Sequence, residues 1–192
     1  MNYLAHLYLS DDDALCRLGN LMGDFVKGPL GRYDYPWGVM LGLRQHRAVD
    51  ALSLTHDAVR RSKSRLNARF GHLKGILIDI FYDHLLAVNW PSWGQGTLEV
   101  FADQGYNLLQ RHRELLPEAF RPTADRMIRH RWLTAYRDRE TVKLVLERMA
   151  GRLSRPNLLA QGYTELEHCG GQMEADCRAF LMDARTMLDE MG

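Results

Sequence analysis

The segment from Leu73 to Trp90 constrains the chain most. Apolar side chains stand at Leu73, Ile76, Leu77, Ile80, Phe81, Leu85, Leu86 and Trp90, at the three- and four-residue spacing of a helix. The same segment carries Asp79, Asp83 and His84 inside LIDIFYDHLL. Asp79 and Asp83 are one turn apart and share a face, and His84 follows about 100° round from Asp83. Charged groups in so apolar a segment are costly to bury unless they are paired or bind a metal. One reading is an amphipathic helix with a wet polar face. The sharper reading is a metal or acid–base site.

The remaining pattern is helical almost throughout. Leu4, Leu7 and Tyr8 repeat behind Asn2, which suits an N-cap. Asp11, Asp12 and Asp13 suit the first turn of a second helix, which should run to Val26 and stop at Lys27-Gly28-Pro29. A loop over 31–36 precedes helices expected at 37–52 and 55–68, then the apolar helix, then 94–115, 117–136, 139–151 and 157–190. No stretch alternates with period two between hairpin turns, so strands find no place. The expected fold is all-α: one helical bundle spanning residues 1–192.

Composition excludes several classes. Hydrophobic residues make up 46% and charged residues 26% of the 192, ordinary for a globular protein and unlike a disordered one. No apolar run approaches the roughly 20 residues of a membrane span. Net charge is +1, so the overall field selects no partner and gives no basic domain for nucleic acid. Three cysteines are too few for a disulfide framework, and with no basic leader ahead of the first helix the expected location is the cytoplasm. The pattern carries no sign of oligomeric state.

The chemistry lies in polar pairs on apolar helices. There is no nucleophile elbow, phosphate loop or dinucleotide fingerprint. His46 and Asp50 are one turn apart, as are Asn20 and Asp24, the latter beside Gly19 and Gly23. Glycines inside a helix each cost about 1 kcal/mol relative to alanine, and close helix packing would explain them. Three helices of a bundle could aim such pairs at one cavity. Imidazole with carboxylate and no nearby thiolate favours Mn, Fe, Mg or Zn. Such an ion acidifies a bound water and neutralises phosphate charge, which makes phosphoester hydrolysis the natural reaction class. The doublet His56-Asp57 sits near a helix start, where the helix dipole alone favours an aspartate.

MNYLAHLYLS, GNLMGDFVKG, HRAVD, LIDIFYDHLLAVNW and WLTAYRD occur in this order. Together they resemble the acyl carrier protein phosphodiesterase family, over residues 1 to at least 155. The resemblance implies a divergent, all-helical HD phosphohydrolase that cleaves the 4′-phosphopantetheine arm from holo-acyl carrier protein and leaves a free serine. It implies a divalent cation, Mn first, with Mg, Fe or Zn as alternatives. The family's polar positions match at Asn2, His6, Asn20, Asp24, His46, Arg47, Asp50, Asp79, Asp83 and His84. Two segments depart from it: Ser53-Leu54-Thr55-His56-Asp57 stands where relatives carry Thr-Asp-x-His-Pro after HR-x-x-D, and Leu181-Met182-Asp183 where they carry Phe-Tyr-Pro.

On this basis the expected cation ligands come from Asp24, His46, Asp83 and His84. Asp79 or Asp50 would orient a ligand or take the water's proton, and His6 would be a candidate acid for the leaving serine. Arg44 and Arg47, beside His46, would meet the diester phosphate with Asn20 nearby. Arg60, Arg61 and Lys63 open a stretch free of acid from Ala58 to Ile78, which suits docking of an acidic carrier protein. A second basic stretch, Arg126 to Arg131, competes for that role. Rival readings are a hydrolase of nucleotides or other small phosphoesters, a helical nucleic-acid binder, and a carrier-protein binder without catalysis.

Overall fold

The computed structural model describes residues 1–191. Eleven α-helices carry the fold: α1 (Tyr3–Leu9), α2 (Ala14–Met22), α3 (Trp37–Thr55), α4 (Asp57–Arg65), α5 (Lys74–Val88), α6 (Trp90–Trp93), α7 (Leu98–Arg111), α8 (Arg121–Arg129), α9 (Trp132–Ala135), α10 (Arg139–Ala150) and α11 (Tyr163–Asp189). Short 3₁₀ turns at Gly23–Phe25, Leu30–Arg32, Ala68–Leu73, Arg113–Leu115 and Leu159–Gly162 link them. No strand occurs among the described residues, so the fold is all-α, as the pattern implies.

α5 is the buried axis. Leu77, Ile78, Phe81, Tyr82 and Leu86 have no exposed surface, and α1, α4, α10 and α11 pack round it. Each such side chain stabilises by roughly 1.5–3 kcal/mol, which offsets the cost of the polar groups α5 carries. α2 and α3 make the most extensive pairing. A Cβ on Gly19 would run into backbone of Val39 and Leu43, and one on Gly42 into the Cys16 carbonyl. Gly19 is therefore the price of bringing two helix backbones together.

Several expected boundaries shift, each for a local reason. Asp13 is the N-cap of α2, its Oδ1 accepting from the Cys16 N–H at 2.8 Å, so Asp11 and Asp12 precede the helix. The helix expected from 94 begins at Leu98 because Thr97 caps it. The helix expected over 117–136 divides into α8 and α9 at Arg131, which sits in the left-handed region (φ 48°). The Tyr106 hydroxyl accepts from the Leu133 N–H at 2.9 Å and meets the new helix start. Asn2 is in the N-cap position of α1 without capping it; its Nδ2 donates to the Tyr136 hydroxyl at 2.8 Å.

Candidate metal centre

α1 and α3 bring two imidazoles face to face. The His6 and His46 rings stack with centroids 3.7 Å apart and planes 17° apart. The Gly23 turn makes room for this, since a Cβ there would overlap the His46 ring. His46 Nδ1 lies 2.9 Å from the Asn20 carbonyl. That bond fixes Nδ1 as the donor and turns Nε2 toward the carboxylates. His46 Nε2 is 3.4 Å from Asp50 Oδ2 and 3.7 Å from Asp24 Oδ1. His6 Nε2 is 3.3 Å from Asp50 Oδ1.

The electrostatics follow from this grouping. Burial first, then neighbouring His46, drives the His6 imidazole down to about 3, so it is neutral at physiological pH. Burial also opposes charge on His46, but the hydrogen bonds it donates to Asp24 and Asp50 prevail and raise it to about 9. Burial pushes the Asp50 carboxyl up, yet His46, His6 and the Met1 ammonium hold it well below the usual range. Asp24 is held low mainly by its hydrogen bond to His46. The Met1 ammonium donates to Asp50 Oδ1 at 2.9 Å and lies 3.5 Å from Asp79 Oδ1. Asp79 is raised by burial, against the pull of that ammonium.

His6, His46 and Asp50 each offer a ligand atom, and the three atoms lie within 4.8 Å of one another. Both ring nitrogens of His6 are buried without a well-formed hydrogen bond, Nε2 meeting only Asp50 at 3.3 Å, and a cation ligated at Nε2 would remove that nitrogen's share of the cost. Two imidazoles and a carboxylate, with Asp24 at the edge, form a donor set suited to Mn, Fe or Zn. The residues present therefore fit a divalent cation.

Asp83 and His84 are not brought into this group. Asp83 is fully buried, and its two oxygens accept from the Leu4 and Ala5 N–H groups at 2.9 Å each. It closes the N-terminus of α1 in place of Asn2. His84 points the other way round α5, its Nδ1 2.8 Å from the Tyr136 carbonyl. Most of the expected phosphate and docking residues are engaged elsewhere. Arg47 Nη2 donates to the Val26 and Gly28 carbonyls at 2.9 and 2.7 Å, clasping the loop after Asp24. Arg44 stands over the Trp37 ring. Arg60 pairs with Asp57, and Arg61 and Arg65 with Asp176 of α11. Lys63 lies close enough to favour the charged form of Asp79. Asn20 is buried; its Nδ2 donates to Gln45 Oε1 at 3.0 Å, so its contribution to His46 is through its backbone carbonyl. Side-chain spacing gives no sign of the Met1 ammonium, Gln45 or Tyr136, because their roles rest on contacts between distant segments.

Fold and site define an all-helical protein in which an imidazole pair and carboxylates from separate helices converge on one point. The family profile described as acyl carrier protein phosphodiesterase matches residues 1–184. An acyl carrier protein phosphodiesterase of Photorhabdus laumondii subsp. laumondii is 34% identical over 172 residues, covering 87% of this chain and 84% of that protein. One of Serratia proteamaculans is 32% identical, covering 91% and 90%, and one of Yersinia pestis 33%, covering 83% and 82%. No solved structure gives a significant match. The chain belongs to the acyl carrier protein phosphodiesterase family.

Proposed function

We infer that the chain is a phosphoric diester hydrolase that converts holo-acyl carrier protein to apo-protein and 4′-phosphopantetheine. The observation that carries its chemistry is the convergence of His6, His46 and Asp50 within 4.8 Å. These three residues would hold the divalent cation, Mn being the first choice. Such an ion supplies Lewis acidity to the phosphodiester and a more acidic water. A His–carboxylate centre inside a helical bundle also supports a place among the HD-type phosphohydrolases.

The chain's own residues do the rest. The Asn20 carbonyl holds the His46 ring so that Nε2 faces the site. Asp24 keeps 55% of its side chain exposed and is held ionised by His46, so it is placed to take a proton from the attacking water. The water oxygen bonds to phosphorus as its proton passes to Asp24, the bond from phosphorus to the serine oxygen breaks, and that oxygen takes a proton from solvent as the serine leaves with the apo-protein; His6, a buried imidazole that carries no proton to give near neutral pH, is not the acid expected from the sequence. The Met1 ammonium and Asp79 keep Asp50 oriented between the two imidazoles. No helix among the described residues is long and apolar enough to cross a membrane. Three free, buried thiols support a reducing, cytoplasmic setting.

The test is a gel shift of holo-acyl carrier protein incubated with the protein and Mn. Conversion to the apo form, abolished by EDTA, is the expected result. No conversion by folded, Mn-loaded protein would overturn the named substrate.

A further inference from the structure

After Val26, which is still buried in the core, the chain runs as a surface loop until α3 begins at Trp37. The loop is held in shape from below. Arg47 clasps the Val26 and Gly28 carbonyls, the Tyr33 hydroxyl donates to the Lys27 carbonyl at 2.7 Å, and the Tyr33 and Tyr35 rings stack 5.7 Å apart. Trp37, the first residue of α3, is 68% exposed. The Arg44 guanidinium stands 5.2 Å from the centroid of its ring. A large aromatic in water, braced by a guanidinium and a shaped loop, needs an explanation that packing does not give.

We propose that Trp37, Arg44 and the 27–37 loop form the docking surface for the acidic carrier protein; this rests on the substrate inferred above. Three observations support it. Tryptophan, tyrosine and arginine are the side chains that anchor protein interfaces. Lys27, Arg32 and Arg44 are exposed and, among the described residues, make no ion pair, whereas Arg60, Arg61 and Arg65 of the rival α4 face are paired with Asp57 and Asp176. Asp34 is the one acidic residue of the loop, so an excess of cation faces the partner.

Placement agrees as well. Lys27 follows Asp24 by three residues, and Arg47, next to His46 on α3, holds the Val26 and Gly28 carbonyls, so the loop begins at the rim of the His6–His46 centre.

The experiment measures steady-state hydrolysis of holo-acyl carrier protein and calorimetric binding of apo-acyl carrier protein for wild type, Trp37→Ala, Arg44→Glu and Arg60→Glu. All three positions are exposed, and thermal melts verify that the variants fold. The expected result is a KM raised tenfold or more in Trp37→Ala and Arg44→Glu with kcat within twofold, binding weakened in parallel, and little change in Arg60→Glu. Wild-type hydrolysis with KM unchanged in the first two variants, or raised only in Arg60→Glu, overturns the docking surface and leaves the substrate standing. A wild-type protein that neither binds nor cleaves the carrier protein overturns both.

Discussion

The imidazoles of His6 and His46 lie ring against ring at 3.7 Å with the Asp50 carboxylate reaching both. One ring is neutral and the other favours its cation. A divalent ion bound to His46 Nε2 must displace the proton held there. Affinity for Mn is therefore expected to rise roughly tenfold per pH unit toward about pH 9 and to level off above it. Mn titrations followed by electron paramagnetic resonance from pH 7 to 9.5 check this; a flat profile counts against His46 as a ligand.

Asp83 makes a separate prediction, about stability. Burial lifts its carboxyl to about 7 despite the two backbone N–H groups that it accepts from, against about 3.9 in an unfolded chain. Between those values the native state binds the proton more tightly. Its contribution to stability therefore falls as pH rises from about 4 to 7 and is constant above. Asp83→Asn should remove that slope and, at pH 5, cost about 1–3 kcal/mol for the lost acceptor at the α1 N-terminus. Urea unfolding at pH 5 and pH 8 for both proteins measures it.

His84→Ala leaves the Tyr136 carbonyl without its imidazole. The expected loss is about 1–3 kcal/mol of stability, seen as a lower urea midpoint, with Mn affinity at pH 8 unchanged.

Two glycines separate packing from chemistry. Gly42→Ala drives a methyl into the Cys16 carbonyl and should destabilise by about 1–3 kcal/mol. Gly23→Ala drives one into the His46 ring and should lower hydrolysis by roughly 10- to 100-fold, the usual effect of disturbing a ligand's support. Equal losses of stability in the two variants would contradict the distinction.

Much of this was legible in the chain. The apolar spacing of Leu77, Ile80, Phe81 and Leu85 marks α5 as a buried helix, and the interval between His46 and Asp50 sets both on one face of α3. Glycine at 19 marks close helix contact. Asp83 and His84 show the limit. Polar groups in an apolar helix announce that partners exist, but these partners are backbone groups of Leu4, Ala5 and Tyr136, which a side-chain pattern does not display. His6 is the converse. Its position on a seven-residue helix says little until α1 packs against α3 and lays it on His46. Arg131 shows the same for boundaries, since nothing in its type signals a left-handed turn.

The central claim is that His6, His46 and Asp50, rather than Asp83 and His84, hold the cation. Mn binding to folded wild type, His6→Ala, His46→Ala, Asp50→Ala, Asp83→Asn and His84→Ala at pH 8 tests it directly. Saturable binding is expected in wild type and in the last two variants, and its loss in the first three. Binding that survives in His6→Ala and Asp50→Ala but disappears in folded Asp83→Asn or His84→Ala would contradict the account.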